Sequence, residues 1–368
     1  MLKEVCSINM GQSPDSDSYN ENGEGVPFFQ GNADFGERYP VTRKWCTVPT
    51  KMAEPEDILI SVRAPIGAMN YAKEECCIGR GLAALTPDKT KVSPEFIYWL
   101  LKGKKEELNS KGTGSTFKAI GRKVLEETLV PDIGLETQIE YSEILEKVYS
   151  IIQHRKQELQ RLDELIKARF VELMASTELS DEVTVEQITE RVKVGFVGTC
   201  EKYYTDDSGI PMLRTGNITD HGIDMSDLKY VTAEFHDKNK KSQIHSGDVL
   251  IARHGSNGQA NVYDGPEAQC LNAVVIVPNQ AVAKSVFLAG LINSPEVKEQ
   301  IDRTLVGSTQ HVVNTKSIAN LMVRIPCLEV QEQYEAFVEQ TDKSKVAVQK
   351  ALDEAQLLFD SLMQKYFG

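Results

Sequence analysis

The stretch Leu135–Leu179, LETQIEYSEILEKVYSIIQHRKQELQRLDELIKARFVELMASTEL, decides the fold. It contains no Gly and no Pro and is rich in Glu, Leu, Ile, Lys and Gln, helix formers apart from the β-branched Ile. Apolar residues fall at heptad spacing: Leu145, Val148 and Ile152, then Leu159, Leu162 and Ile166, then Leu173. Arg155 and Arg169 take the two remaining seam positions. A sustained pattern of this kind is the mark of a coiled-coil seam. About 40 residues at ~1.5 Å each make a rod of roughly 60 Å. Such a rod needs a partner for its apolar seam.

The chain carries a partner at its far end, Leu328–Phe367. Both stretches open Leu-Glu-x-Gln-x-x-Tyr, at 135–141 and 328–334. Both close alike, Phe170-x-x-Leu173-Met174 matching Phe359-x-x-Leu362-Met363. Val348, Leu352, Ala355, Phe359, Leu362 and Tyr366 continue the seam. The two helices are expected to partner each other along their seams.

The same duplication runs through the rest of the chain. Asp57-Ile-Leu-Ile matches Asp248-Val-Leu-Ile, Gly67 matches Gly258 and Pro87 matches Pro278. Gly114-Ser115-Thr116 matches Gly307-Ser308-Thr309, and Val26-Pro27 followed by Gly31-Asn32 resembles Ile210-Pro211 followed by Gly216-Asn217. The expected order is a globular unit over 1–134, a long helix over 135–179, a second globular unit over 180–327 and a second long helix over 328–368. Within each unit, Asp57–Val62 and Asp248–Ala252 read as buried strands entered from a turn. Leu82–Leu85 and Ala273–Val277 read as their partners, stopped by Pro87 and Pro278. Pro94–Leu101 and Lys284–Ile292 read as amphipathic helices. Val124–Val130 and Ile318–Ile325 read as short closing strands. The fold class is α+β: two pseudo-repeated units with curved, mainly antiparallel sheets, separated by two long coiled-coil helices.

Composition narrows the function. The formal net charge is −13, against a nucleic-acid binder taken as a whole. The excess is uneven, however: residues 329–368 contain no Arg and are strongly acidic, whereas residues 1–134 are nearly neutral. Local basic clefts are therefore possible on the globular units. The seven cysteines form no CxxC pair. Free thiols in a reducing cytoplasm are expected, with neither metal nor disulfide. The N-terminus shows no signal pattern, and no apolar run approaches a membrane span. There is no GxxxxGK[ST], no HExxH and no Gly-rich cofactor loop leading into a helix, and no catalytic tetrapeptide of an adenine methyltransferase. Asp57 and Asp248 each stand alone at a strand entry and read as turn caps. No catalytic centre and no cofactor are expected.

With these residues on the page, the sequence resembles the specificity subunits of type I restriction–modification systems. The most telling parts are Ile60-Ser-Val-Arg-Ala-Pro-Ile-Gly67 with Cys77-Ile-Gly-Arg-Gly-Leu82, and Gly247-Asp-Val-Leu-Ile-Ala-Arg-His-Gly-Ser-Asn-Gly258. The first half departs from the family at Val130-Pro-Asp-Ile-Gly, where a Pro-Pro-Leu type sequence is common. The resemblance implies two DNA target-recognition domains separated by the two long helices packed antiparallel, and the duplication then implies a bipartite double-stranded target. It implies two methylation subunits docked on the long helices, adenine-N6 methylation, and restriction subunits in the full complex. The alternatives are a specificity subunit of a fused methylase–nuclease system and a coiled-coil adaptor that binds no DNA.

Arg suits guanine and Asn or Gln suits adenine, while hydroxyls and cations suit phosphates. The expected DNA-binding residues are Arg63, Arg80, Ser115, Thr116 and Lys118 in the first half. In the second they are Arg214, Asn217, Arg253, Asn257, Ser308, Thr309, Gln310 and Asn314. Arg253 is taken as the counterpart of Arg63, and the glycines beside Arg80 as room for a ligand. Phe28, Phe29 and Tyr39 are expected in the core. Gln138, Tyr141, Ile152, Leu162, Gln331 and Tyr334 are expected to meet the partner subunits.

Overall fold

The computed structural model describes residues 1–114, 118–219, 222–253, 258–305 and 312–368, the side chain of Leu305 excepted. The chain divides into two compact units, Met1–Arg155 with Ala351–Gly368 and Lys156–Lys350. Each contains one half of both long helices, Leu135–Ser176 and Leu328–Phe367.

The two units repeat one sheet plan. In the first, a four-stranded antiparallel sheet runs Cys6–Met10, Leu82–Pro87, Ile58–Ser61, Met69–Tyr71. A five-stranded sheet runs Tyr19–Asn20, Trp45–Cys46, Val26–Phe29, Cys76–Ile78, Met52–Ala53. Its one parallel pair is Val26–Phe29 with Cys76–Ile78. In the second unit the orders are Thr189–Val194, Ala273–Pro278, Val249–Ala252, Ala260–Val262, and Tyr204–Thr205, Lys229–Val231, Ile210–Arg214, Ala268–Leu271, Gln243–Ile244. The parallel pair recurs at Ile210–Arg214 with Ala268–Leu271. The strands Ile58–Ser61 and Val249–Ala252 are buried throughout, as apolar runs of this length require. Asp57 and Asp248 cap the turns before them, accepting from the N–H groups of Glu54 and His245 at 2.9 and 3.0 Å. Cys76 and Cys77 lie buried in a strand, and burial pushes the Cys76 thiol up to about 12.

The closing segments of both halves depart from expectation. Val124–Val130 is no strand: Arg122–Glu126 forms a short helix, held by i,i+4 pairs from Arg122 to Glu126 and Lys123 to Glu127. Its chain end is tied by a single bond from Leu2 N–H to Thr128 O, 2.8 Å, where a ladder was expected. In the second unit Ile318 likewise lies in a helix, Thr315–Ala319. Only Met322–Val323 pairs as strand, with Val183–Thr184.

Each globular half seats one helix against the long helices. Ser93 caps Pro94–Gly103, accepting from Phe96 N–H at 3.4 Å, with Pro94 at the first helical position. This seating helix buries Trp99 completely. The Trp99 ring meets Tyr149 of the first long helix edge-on at 5.3 Å and Phe359 of the second at 5.5 Å. Phe96 meets Phe367 at 5.3 Å, and Tyr141 stacks on Tyr366 at 3.8 Å. In the second unit the seating helix is Ser285–Ile292. Phe287 meets Phe170 at 5.5 Å and Tyr334 at 6.4 Å, and Phe170 meets Tyr334 at 5.3 Å.

The long helices run antiparallel in each unit. Tyr141 faces Tyr366 while Tyr149 faces Phe359 in the first. In the second, Asp163 pairs with Lys345 at 2.7 Å while Phe170 faces Tyr334. Leu145, Val148, Ile152, Phe170 and Leu173 are buried, whereas Leu159, Leu162 and Ile166 are only half-buried. The seam residue Arg169 lies over the Phe337 ring at 5.8 Å and reaches Glu172 at 2.7 Å.

Trp99→Ala should remove the ring that joins both long helices to the first domain. We expect a loss of about 3–5 kcal/mol in urea unfolding; an unchanged midpoint would show that the ring is not the anchor.

Candidate nucleic-acid interface

In the first unit several strands end along one edge, and backbone hydrogen bonds tie their exits together. Gly11 N–H donates to Leu82 O at 2.9 Å and Gln12 N–H to Ile78 O at 3.0 Å. Gly81 N–H donates to Gln30 O at 3.2 Å, Val62 N–H to Gly81 O at 2.9 Å, and Ile120 N–H to Val62 O at 2.9 Å. Ala64 N–H donates to Lys118 O at 3.1 Å, and Arg63 bridges to Ala119. Arg63, Arg80 and Lys118, far apart in sequence, therefore share this edge, and all three are exposed. No described residue forms an ion pair with any of them. Ser115 and Thr116 lie outside the described residues.

The glycines beside Arg80 serve the protein's own packing. A Cβ on Gly81 would lie 2.4 Å from Gln30 O, and one on Gly79 would lie 3.1 Å from Gln30 Cα. Room for a ligand is not what they supply. They let the Arg80 loop press onto Gln30, with Arg80 N–H donating to Ser13 Oγ at 3.3 Å, and so aim the guanidinium outward. Phe28 and Phe29 are buried as expected, but Tyr39 is 47% exposed.

The second unit repeats the edge with different side chains. Strand register makes Ser61 equivalent to Ala252, since they face Leu82 and Ala273. Arg253 is thus the counterpart of Val62 and not of Arg63. The backbone agrees: Val313 N–H donates to Arg253 O as Ile120 N–H does to Val62 O. The counterpart of Arg63 is His254, which lies outside the described residues, as do Asn257, Ser308, Thr309 and Gln310. Arg253 is half-buried and braces the edge. Its Nε donates to Val313 O at 3.1 Å and its Nη1 to Asn272 Oδ1 at 2.8 Å. Arg214 pairs with Asp227, its Nη2 lying 2.8 Å from the carboxylate and 2.9 Å from the carbonyl. Asn217 is buried with its amide fully engaged. Its Oδ1 accepts from Arg214 N–H at 2.9 Å, and its Nδ2 donates to Asp224 O and Asp227 O at 3.0 and 3.1 Å. It holds a loop and offers nothing to a base. Asn314 is exposed and caps the helix Thr315–Ala319, accepting from Ser317 N–H at 2.8 Å.

Sequence reasoning missed part of this edge. Gln12, Gln30 and Lys51 are exposed where strands leave or enter it. Thr50 Oγ1 donates to Gln12 O at 2.6 Å, and Lys51 O accepts from Ile78 N–H at 2.8 Å. In the second unit, Gln243–Ile244 takes the sheet place of Met52–Ala53. It is entered through exposed Lys240 and Lys241. The run Lys238-Asn-Lys-Lys between repeat-equivalent strands was the available signal.

Several residues expected to meet partner subunits lie inside the protein instead. Gln138, Gln331, Tyr334 and Ile152 are 4%, 0%, 2% and 2% exposed. Tyr141 is half-buried against Tyr366, and Leu162 is half-buried. The repeated Leu-Glu-x-Gln-x-x-Tyr opening reflects a repeated internal fit. The exposed apolar positions of the helices are others: Leu135, Ile139 and Ile151 at 39, 44 and 48% in the first unit, and Leu165 and Val171 at 48 and 54% in the second. Ile139 and Ile151 flank a groove of about 840 Å³ with Ser142, Glu143, Glu146 and Lys147. Among the described residues no cluster of His, Cys, Asp and Glu could hold a metal ion, and no helix is long and apolar enough to cross a membrane.

The family model for the type I restriction modification DNA specificity domain matches residues 1–163 and 184–355. The chain belongs to that family. A putative type I restriction enzyme MjaX specificity subunit of Methanocaldococcus jannaschii is 42% identical over 160 residues, 44% of this chain and 38% of that one. The match therefore spans well under half of that relative's length. The type I restriction enzyme EcoBI specificity subunit of Escherichia coli is 21% identical across 100% of this chain and 84% of its own. A crystal structure of the S subunit of a type I restriction–modification system from M. genitalium has the same fold, with TM-score 0.58 and 15% identity over 100% of this chain and 95% of that one.

Asn217→Ala removes three hydrogen bonds, leaving Arg214 N–H and Asp224 O without them while Asp227 O keeps its bond from Arg214 Nη2. It should cost about 1–3 kcal/mol in thermal unfolding. Arg80→Ala, at an exposed side chain with no ion pair among the described residues, should stay within about 0.5 kcal/mol. Equal losses would contradict this division of roles.

Proposed function

We propose that this chain is the DNA-recognition subunit of a type I restriction–modification complex, without a catalytic centre of its own. The supporting observation is the duplication: one two-sheet domain, occurring twice, each time seated on a pair of antiparallel helices. Two like domains with unlike edges suit a bipartite double-stranded target made of two different blocks. The first block would meet Arg63, Arg80 and Lys118, joined by Gln12, Gln30 and Lys51. The second would meet the edge braced by Arg214 and Arg253, with Lys240 and Lys241 on phosphates. Ser115, Thr116, Asn257, Ser308, Thr309, Gln310 and Asn314 stay as candidates.

The exposed apolar rows on the long helices would dock two methylation subunits, which transfer methyl groups to adenine N6, and through them the restriction subunits. Apolar rows left uncovered after internal packing are interface candidates. Ile139 and Ile151 replace the buried glutamines and tyrosines in this role.

Arg63→Ala or Arg80→Ala in the assembled complex should weaken specific binding by about 1–3 kcal/mol if the side chain reads a base. A phosphate contact would instead weaken all sequences alike and lower the salt slope by about one. Binding to specific and unrelated duplexes across salt concentrations separates these; no change on either removes the residue from the interface. Ile139→Asp with Ile151→Asp should abolish co-purification with the methylation subunit while the melting temperature of the chain stays put. Retained assembly would place the dock elsewhere.

A further inference from the structure

Gln138 and Gln331 hold the same place in the two halves, the fourth residue of each long helix. Both are buried, and both spend their amides in the same way. Gln138 Oε1 accepts from Ser93 N–H at 3.0 Å, and its Nε2 donates to Ile133 O at 2.9 Å. Gln331 Oε1 accepts from Lys284 N–H at 2.9 Å, and its Nε2 donates to Pro326 O and Val282 O, each at 3.0 Å. Ser93 and Lys284 are the caps that open the two seating helices. Ile133 and Pro326 lie in the linkers that lead from each domain into its long helix. One amide therefore ties linker, long helix and seating helix together, twice in the chain.

Packing alone would not do this. The Trp99 and Phe287 contacts are apolar, and apolar burial has no preferred direction. A helix seated only on such contacts can slide or tilt with little loss. Hydrogen bonds keep narrow ranges of distance and angle. One such bond, from the N–H of the seating helix's cap residue to the glutamine Oε1, sets where that helix begins along the long helix, and the bond from Nε2 holds the linker beside it. A buried amide is also a costly choice where an apolar side chain would fill the same space. The repeated Gln therefore marks a need for direction rather than for volume.

We propose that Gln138 and Gln331 are positioning residues for target reading. Each fixes the angle at which one recognition domain stands on its long helix, and together they restrict the number of base pairs tolerated between the two blocks of the target. They touch no DNA and act through the seating helices. This rests on the function proposed above.

The test uses the full chain assembled with its methylation subunits, carrying Gln138→Leu or Gln331→Leu, and reads the modified sites by methylome sequencing. Leu roughly keeps the volume and removes the glutamine's own bonds, leaving the Arg38–Glu146 and Lys284–Glu332 ion pairs in place. Both blocks should stay unchanged. Sites whose spacer differs by one base pair, which the unaltered complex leaves unmodified, should gain methylation about tenfold. A spacer that stays fixed while methylation merely falls would overturn the proposal, since that is the signature of a structural role. Where a Leu variant does not accumulate as folded chain, Gln138→Asn or Gln331→Asn, one methylene too short for the same bonds, is read by the same outcomes. If the unaltered complex gives no bipartite motif, the function proposed above fails instead, whatever the variants do.

Discussion

The structure depends on the seating of one short helix of each domain against two long ones. Without it, the long helices would have little to hold them. Leu159, Leu162 and Ile166, in the middle of the first long helix, are only half-buried. The fully buried positions lie where a domain covers the pair: Leu145, Val148 and Ile152 in one unit, Phe170 and Leu173 in the other. Phe170 and Leu173 belong to the same core as Phe287 and Tyr334, and so to the second domain as much as to the helix pair. Helix pair and domains stabilise one another, as expected for helices whose stability comes from tertiary packing rather than propensity.

Much of the fold was legible in the sequence because duplication writes each signal twice. Asp57-Ile-Leu-Ile and Asp248-Val-Leu-Ile gave the central strands, and Pro87 and Pro278 close the strands beside them. The second long helix runs over Leu328–Phe367, the stretch its periodicity marks. The closing segments were misread because Val124-Leu125 and Leu129-Val130 look like strand residues. Glu126 and Glu127, paired with Arg122 and Lys123, favour the helix there.

The site was less legible. The shared edge is assembled from strand ends near residues 11, 30, 62, 80 and 119, and no spacing along the chain announces that they meet. Arg253 was assigned to the wrong counterpart because arginines were matched by type. Strand pairing shifts the match by one residue and turns Arg253 from a reader into a brace. The repeated Gln and Tyr read as partner-facing in sequence because sequence does not show burial. The two edges also differ in electrostatics. Among the described residues the first carries cations free of ion pairs, whereas in the second Arg214 is paired with Asp227. Lys240 and Lys241 are exposed there.

The central claim is that DNA lies along the strand-end edge of each domain. Photo-crosslinking of the assembled complex to target duplexes carrying 5-bromouracil, followed by peptide mapping, tests it most directly. The account predicts crosslinked peptides around residues 10–13, 30–32, 62–64 and 79–81 in the first half, and around 240–242, 253–257 and 271–272 in the second. Crosslinks confined to the long helices, or to the opposite ends of the sheets near Asp57 and Asp248, would contradict it.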